Sequence, residues 1–421
     1  MQGVKQESCK MPMIRSTTAF VLFSLLMASS FAAGNQAHHE ESPEYRRAIE
    51  LLESAPLIDG HNDLPWQYRL RVANDLEAID IAADTSHMAP PLHTDLPRLR
   101  AGRVSGQFWS VYVPTDYSGD EAVRVQLEQI EIARRLIDRH EALQFVTTAD
   151  GIEQAFGEGR IASLLGMEGG HTLNNSLAVL RMFHALGARY LTLTHWQSHD
   201  WADAATDTPR HGGLSDFGRE VIGEMNRLGM LVDLSHTHDM TMHDVLDISE
   251  APVIFSHSSA RGVTVHVRNV PDDVLDRLPD NGGIVMVTFV PVFLNEEVRQ
   301  RNARVHGEQA RLEQLYPGDA ERVEAELDAW LEAHPVPVAR LNDVVDHIDY
   351  IRERIGVEHI GIGADYDGIT TVPEGLEDVS TYPALFAELL RRGYSDDDII
   401  AIAGGNILRV MRQAESVAQG Y

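Results

Sequence analysis

Cysteine occurs once in the 421 residues, at Cys9, so the main body of the chain can form neither a disulfide framework nor a thiolate metal site. Basic residues are also few: 35 Lys and Arg stand against 64 Asp and Glu, for a net charge of −29. That balance argues against a nucleic-acid partner, because phosphate binding needs a basic face. The apolar run near the start, Ala19 to Ala28, is too short for a comfortable membrane span. Nucleotide and serine-hydrolase signatures are missing as well. Gly361-Ile362-Gly363 opens a phosphate loop but continues into Asp365 and Tyr366, and no Gly-x-Ser-x-Gly elbow precedes a helix. There is no internal repeat, and Ala418-Gln419-Gly420-Tyr421 offers no apolar tail for exchange with a lipid anchor.

What is present begins with a targeting pattern. Lys5, Lys10 and Arg15 precede the apolar run, and Ser30, Ala32 and Ala33 offer a cleavage site. Residues 1–33 are therefore expected to be a signal peptide, with an uncleaved anchor as the alternative, and the protein to be exported, periplasmic or secreted, and soluble. Residues 34–50 read as a lead-in, 51–414 as one catalytic domain and 415–421 as a C-terminal tail. Within the domain, strand-like apolar runs at 56–61, 106–113, 161–167, 190–195, 230–235, 252–256, 283–290 and 359–364 alternate with helix-like stretches at 120–140, 174–186, 215–228, 239–248, 272–279 and 338–355. The alternation predicts an α/β fold, a (β/α)8 TIM-type barrel with helical insertions. Stretches 65–105 and 293–336 interrupt it. The second carries Glu296, Glu297, Arg299, Arg301 and Arg304 and reads as a solvated helical insertion.

Chemistry gathers at the strand ends. Leu57-Ile58-Asp59-Gly60-His61-Asn62-Asp63 finishes an apolar run in two ligands spaced to share one face of a strand. Glu168 follows Leu164 and Gly166, His195 follows Leu191 and Leu193, His236 follows Val232 and Leu234, His257 follows Val253 and Phe255, and Asp365 follows Gly361 and Gly363. Taken singly, a histidine so placed reads as an ordinary core residue. In a barrel, however, these ends converge on one mouth, and buried acids need a compensating charge. Imidazole and carboxylate donors without thiolate suit Zn²⁺, with Mn²⁺, Co²⁺ or Fe²⁺ open by geometry. His61, Asp63, Glu168, His236 and His257 are too many for one tetrahedral ion with an open position, but they fit two ions if Glu168 bridges them. Such a pair lowers the pKa of a shared water from 15.7 towards about 7, giving a hydroxide nucleophile.

The same residues resemble a known family. Asp59-Gly60-His61-Asn62-Asp63-Leu64-Pro65-Trp66, Met167-Glu168-Gly169-Gly170-His171, Asp233-Leu234-Ser235-His236, Phe255-Ser256-His257-Ser258, Arg268-Asn269 and Gly363-Ala364-Asp365-Tyr366-Asp367-Gly368 are similar, in order, to the membrane (renal) dipeptidase family of metal-dependent hydrolases. The resemblance runs from about residue 50 to Gly405-Asn406. It implies a (β/α)8 barrel, two zinc ions and cleavage of dipeptides. His61 and Asp63 would hold the first zinc, His236 and His257 the second, with Glu168 bridging. His195 would stabilise the oxyanion, Arg268 would clamp the substrate's terminal carboxylate, Trp66 would line the substrate site, and Asp365 would carry the proton from water to the departing amine. A homodimer is a further implication.

The chain also departs from the mammalian members. It has no cysteine pair and no lipid-anchor signal, and Phe293 falls where relatives place a tyrosine near the substrate. His171 and His199 read as structural neighbours of the site, His238 as the start of a helix, and Asp367 as a residue that orients its loop. The function expected is a zinc-dependent dipeptidase. The alternatives are a metal-dependent amidohydrolase acting on another amide, lactam or ester, and a metal-binding or sensing protein with a degenerate site.

Overall fold

The computed structural model describes residues 42–421, so the expected targeting segment and the His38-His39-Glu40-Glu41 stretch lie outside the described residues. The strands are β1 (Leu57–Asn62), β2 (Val104–Ser110), β3 (Leu143–Phe145), β4 (Ile161–Glu168), β5 (Ala188–Thr192), β6 (Leu231–Asp233), β7 (Ile254–Ser258), β8 (Ile284–Val287) and β9 (Ile360–Ile362). Their hydrogen-bonded order runs β2-β1-β9-β8-β7-β6-β5-β4, and β2 pairs back onto β4, Gly106 to Ala162 through Ser110 to Gly166. The result is the expected closed barrel of eight parallel strands. β3 was not among the expected strands. It pairs with Ile161 to Ser163 at the start of β4, on the edge that β5 takes over from Leu165 onward, so it stands outside the closed ring.

Every residue of β1, β2 and β4 is buried, as parallel strands covered on both faces should be. The covering helices carry the amphipathic signal. Gly119–Arg139 buries Val125, Ile130, Ala133, Leu136 and Ile137 and has Asp120 and Glu121 in its positive first turn. Asp216–Leu228 begins where the Ser215 side chain accepts the Gly218 amide and ends at Gly229, whose φ of 68° is left-handed. The 293–336 stretch contains the helices Glu296–Leu315 and Ala320–Ala333. The first buries only Val298 and Leu312 and the second buries nothing fully. Helices Tyr382–Arg391, Asp396–Ile400 and Asn406–Ala418 finish the fold. Among the described residues no helix is long and apolar enough to cross a membrane.

The irregularities of the barrel matter most for the site. Between Asp59 and Asn62, β1 advances three residues while β2 advances two, from Gln107 to Trp109. From Phe255 to Ser258, β7 does the same against Val285 to Val287 of β8. Each is a bulge that turns one extra residue out of the alternation. β6 and β9 stop early, at Asp233 and Ile362.

Candidate metal centre

The bulges carry His61 and His257. Two further residues arrive on left-handed backbone beyond short strands: His236 with φ 68° and Asp365 with φ 69°, a conformation that non-glycine residues adopt at a cost. Strand alternation therefore does not explain the site as expected. The alternation that linked Leu191, Leu193 and His195 ends at Thr192, and His195 comes in on the following loop. Glu168, last in β4, is the one that follows the simple rule. The β1 and β9 ends are laced together, with the Asp63 amide donating to the Tyr366 carbonyl at 2.9 Å and the Asp365 amide to the His61 carbonyl at 3.1 Å.

These segments bring all the expected ligands into one buried cluster. Glu168 Oε1 lies 3.1 Å from His236 Nε2, 3.3 Å from His257 Nε2 and 3.9 Å from His195 Nε2, and its Oε2 lies 3.6 Å from His61 Nε2. His61 Nε2 is 3.3 Å from Asp63 Oδ2, and His236 Nε2 is 3.0 Å from His257 Nε2. Ligand atoms of His61, Asp63 and Asp365 stand within 4.8 Å of one another. Gly368 keeps that corner open, since a Cβ there would fall 2.2 Å from Asp63 Oδ2 and 2.4 Å from Asp365 Oδ1.

The ring tautomers follow from the partners behind the cluster. Ser256 Oγ donates to Asp233 at 2.6 Å, so it accepts from His257 Nδ1 at 2.8 Å. Asp233 also receives Thr192 Oγ1 and the amides of Ser235 and Ser256. Tyr190 Oη donates to the Gly60 carbonyl at 3.2 Å and accepts from His61 Nδ1 at 2.8 Å. His61 and His257 therefore present Nε2 lone pairs to the oxygens of Glu168. Lone pairs facing a carboxylate across 3.3–3.6 Å repel unless positive charge stands among them, so the donor set fits cations.

Charge in the pocket follows the same logic. Burial alone would raise Glu168, and only protons on the rings around it, that of His61 first, hold its carboxyl well below the usual range. Against the effect of burial, Tyr190, Asp63 and Glu168 in turn draw His61 well above its ordinary value, so the pocket demands positive charge, which protons or cations can supply. Burial pushes Asp365 well above it, and Asp63 and Glu168 add to the rise. Burial and the neighbouring positive charge of Arg268 keep His236 and His257 neutral, the form that ligates. Burial takes Arg268 down to about 10, still a cation at neutral pH. Its guanidinium sits 3.4 Å from both Ser258 Oγ and the His257 carbonyl and 5.2 Å above the Phe293 ring. Among the described residues no carboxylate forms an ion pair with it.

The remaining expected residues lie around the cluster. Trp66 is half-buried and meets Tyr112 edge-on at 5.0 Å, and Tyr112 in turn meets His195 at 4.7 Å. His199 Nε2 bonds the Leu193 carbonyl, and His238 caps the helix Asp239–Ile248 by accepting the Met240 amide. Asp367 accepts the His93 amide at 2.8 Å and holds its loop. Sequence reasoning missed Tyr190, Tyr112, Asp233 and Ser256 as contributors. The Asp233-Leu234-Ser235-His236 and Phe255-Ser256-His257 motifs contain two of them, but nothing in the chain announces Tyr190.

A profile for the membrane dipeptidases, peptidase family M19, matches residues 45–421. The chain belongs to that family. It is 43% identical over 378 residues to dipeptidase 3 of Rattus norvegicus, covering 89% of this chain and 68% of the rat protein, and equally identical to its Mus musculus counterpart, with 89% and 67% covered. Among solved structures, the probable dipeptidase PvdM from Pseudomonas aeruginosa superposes with a TM-score of 0.74 at 25% identity, covering 90% of this chain and all of that one. A metallopeptidase from Rhodobacter sphaeroides, solved with a phosphinate mimic of the dipeptide L-Ala-D-Ala, gives a TM-score of 0.68 at 26% identity, with 86% and 99% covered. This membrane dipeptidase family member thus has its barrel in common with solved structures of that kind.

Proposed function

We propose that the protein is an exported, zinc-dependent dipeptidase that hydrolyses the single peptide bond of free dipeptides. Arg268 carries this reading: a fully buried guanidinium beside the ligand cluster, without a carboxylate partner among the described residues, calls for an anionic substrate group at a fixed distance from the reacting centre. A free C-terminal carboxylate two residues long in reach meets that demand. His61 and Asp63 would hold one zinc ion, His236 and His257 the other, and Glu168 would bridge them. When bound, the two ions supply the charge that polarises the scissile carbonyl and ionises a water near neutral pH.

The chain's own residues do the rest. Arg268 clamps the carboxylate and sets the register of the peptide bond. His195, buried and neutral because burial takes it down to about 4, donates from its ring to the carbonyl oxygen as negative charge develops there. Asp365, kept ionised where positive charge offsets that of Asp63 and Glu168, takes the proton of the attacking water and passes it to the departing amine. Trp66 and Tyr112 wall one side of the mouth and limit access of bulk water. Residues 1–33 would direct export and 51–414 would form the catalytic barrel, with 293–336 inserted.

The reading is tested on free dipeptides, matched tripeptides and C-terminally amidated dipeptides, with and without a chelator. Chelator-sensitive cleavage confined to free dipeptides is the expected outcome. Equal rates on the amidated compounds would remove the carboxylate clamp and favour a broader amidohydrolase.

A further inference from the structure

Exposed apolar groups gather on one arc of the barrel mouth. Trp196, Met240, Val265 and Val267 are each at least 44% exposed and stand on the segments that follow β5, β6 and β7. Exposed hydrophobic groups collected at one place mark a contact surface more often than chance does. Of these four, Trp196 touches the centre directly. Its ring centroid lies 5.1 Å from that of His195 and 5.2 Å from that of His236, perpendicular to the latter at 89°. Its carbonyl accepts Thr206 Oγ1 at 2.8 Å, which fixes the backbone of the loop. The indole is thus held against two rings of the site while much of its surface stays open to solvent.

Arg268 ties that open surface to a particular part of the substrate. Its guanidinium is seated on the His257 carbonyl and Ser258, at the end of β7, and the His257 ring stands 3.0 Å, Nε2 to Nε2, from that of His236, one of the two rings that Trp196 abuts. A carboxylate on Arg268 therefore places the Cα beside it on the β5 to β7 arc. The half-buried pair Trp66 and Tyr112, on the segments after β1 and β2, borders the other side.

We propose that Trp196 sets the preference at the C-terminal residue of the dipeptide, its open indole surface forming the wall against which a bulky apolar side chain packs. The assignment rests on the dipeptidase reading above. An indole is large and stiff, so covering it with a Leu or Phe side chain removes apolar area from both partners with little loss of rotamer freedom. Glycine or a charged side chain at that position gains nothing from it.

The test compares wild type, Trp196→Ala and Trp196→Phe on two dipeptide series, Ala-Xaa and Xaa-Ala, with Xaa as Gly, Leu and Phe. In the Ala-Xaa series the ratio of kcat/KM for Phe over Gly is expected to fall about tenfold in Trp196→Ala, mainly through KM, and less in Trp196→Phe. The same ratio in the Xaa-Ala series is expected to hold within about twofold. Calorimetric binding of free phenylalanine and glycine gives a readout without turnover, and the preference for phenylalanine is expected to shrink in parallel. A proportional loss across both series would show a merely structural prop for His195 and His236, and a loss confined to Xaa-Ala would place the wall at the other residue; either overturns the assignment. A wild type inert towards every dipeptide would refute the dipeptidase reading itself, whereas an active wild type with an unchanged ranking in Trp196→Ala refutes Trp196 alone.

Discussion

Tyr190 Oη stands 2.8 Å from Nδ1 of His61 and hands its own proton to the Gly60 carbonyl at 3.2 Å. The phenol can reach this position because Gly166 lies beneath it, where a Cβ would come within 1.9 Å of Tyr190 Cζ. Residues on β4 and β5 therefore decide which nitrogen of a β1 histidine is free. Removing the acceptor in Tyr190→Phe is expected to weaken metal affinity about 10- to 100-fold, measured by chelator competition. Unchanged affinity would show that ring packing alone orients His61.

Glu168 is the residue on which both halves of the cluster converge. Glu168→Gln keeps its size but removes the charge that two cations would share. Bound metal is expected to fall below two equivalents and kcat by at least about 100-fold, read by elemental analysis and dipeptide hydrolysis. Full stoichiometry at an unaltered rate would exclude bridging.

Arg268→Ala is expected to raise KM for free dipeptides on the order of 10- to 100-fold, the effect of about 1.5–3 kcal/mol for hydrogen bonds to a charged group. Amidated dipeptides should respond little. A loss of kcat alone, with KM unaltered, would place Arg268 in the chemical step instead of the clamp.

Far from the mouth, His347 gives a pH signature. Its Nδ1 accepts the Ala260 amide at 3.0 Å and its Nε2 donates to the Leu294 carbonyl at 3.1 Å, and burial lowers its pKa to about 4. The unfolded chain binds the proton near the ordinary value of 6.5, so the contribution is complete above pH 6.5 and is lost as pH falls from 6.5 towards 4. The depression corresponds to about 3 kcal/mol. Wild-type stability in urea should therefore drop across that window more steeply than that of His347→Asn, and parallel curves would refute the assignment.

The architecture was legible because parallel strands covered on both faces leave long apolar runs, and eight of these closed the ring as expected. β3 escaped notice because Leu143 to Phe145 buries only its first residue and sits in no longer apolar run, whereas the equally short β6 and β9 are wholly buried and belong to longer ones. The candidate site was legible as a set of residue types, since His61, Asp63, Glu168, His195, His236, His257 and Asp365 do meet. The reason offered for their meeting was only partly right. Alternation accounts for Glu168, but bulges deliver His61 and His257, and left-handed turns deliver His236 and Asp365. Such local reversals depend on which backbone can approach which, and a chain read one residue at a time does not display them. Tyr190 was invisible for a similar reason, because its role exists only where β1, β4 and β5 adjoin.

The centre draws its side chains from the ends of β1, β4, β6 and β7, spread from His61 to His257, while residues 42–421 contain no cysteine. Unfolding would scatter these groups along the chain, so ions that bind the folded protein act as a reversible cross-link between distant segments. At a hundred times its dissociation constant, each independently bound ion adds about 2.7 kcal/mol to stability. In a body without disulfides, supply of metal would govern how long the enzyme lasts as well as whether it works.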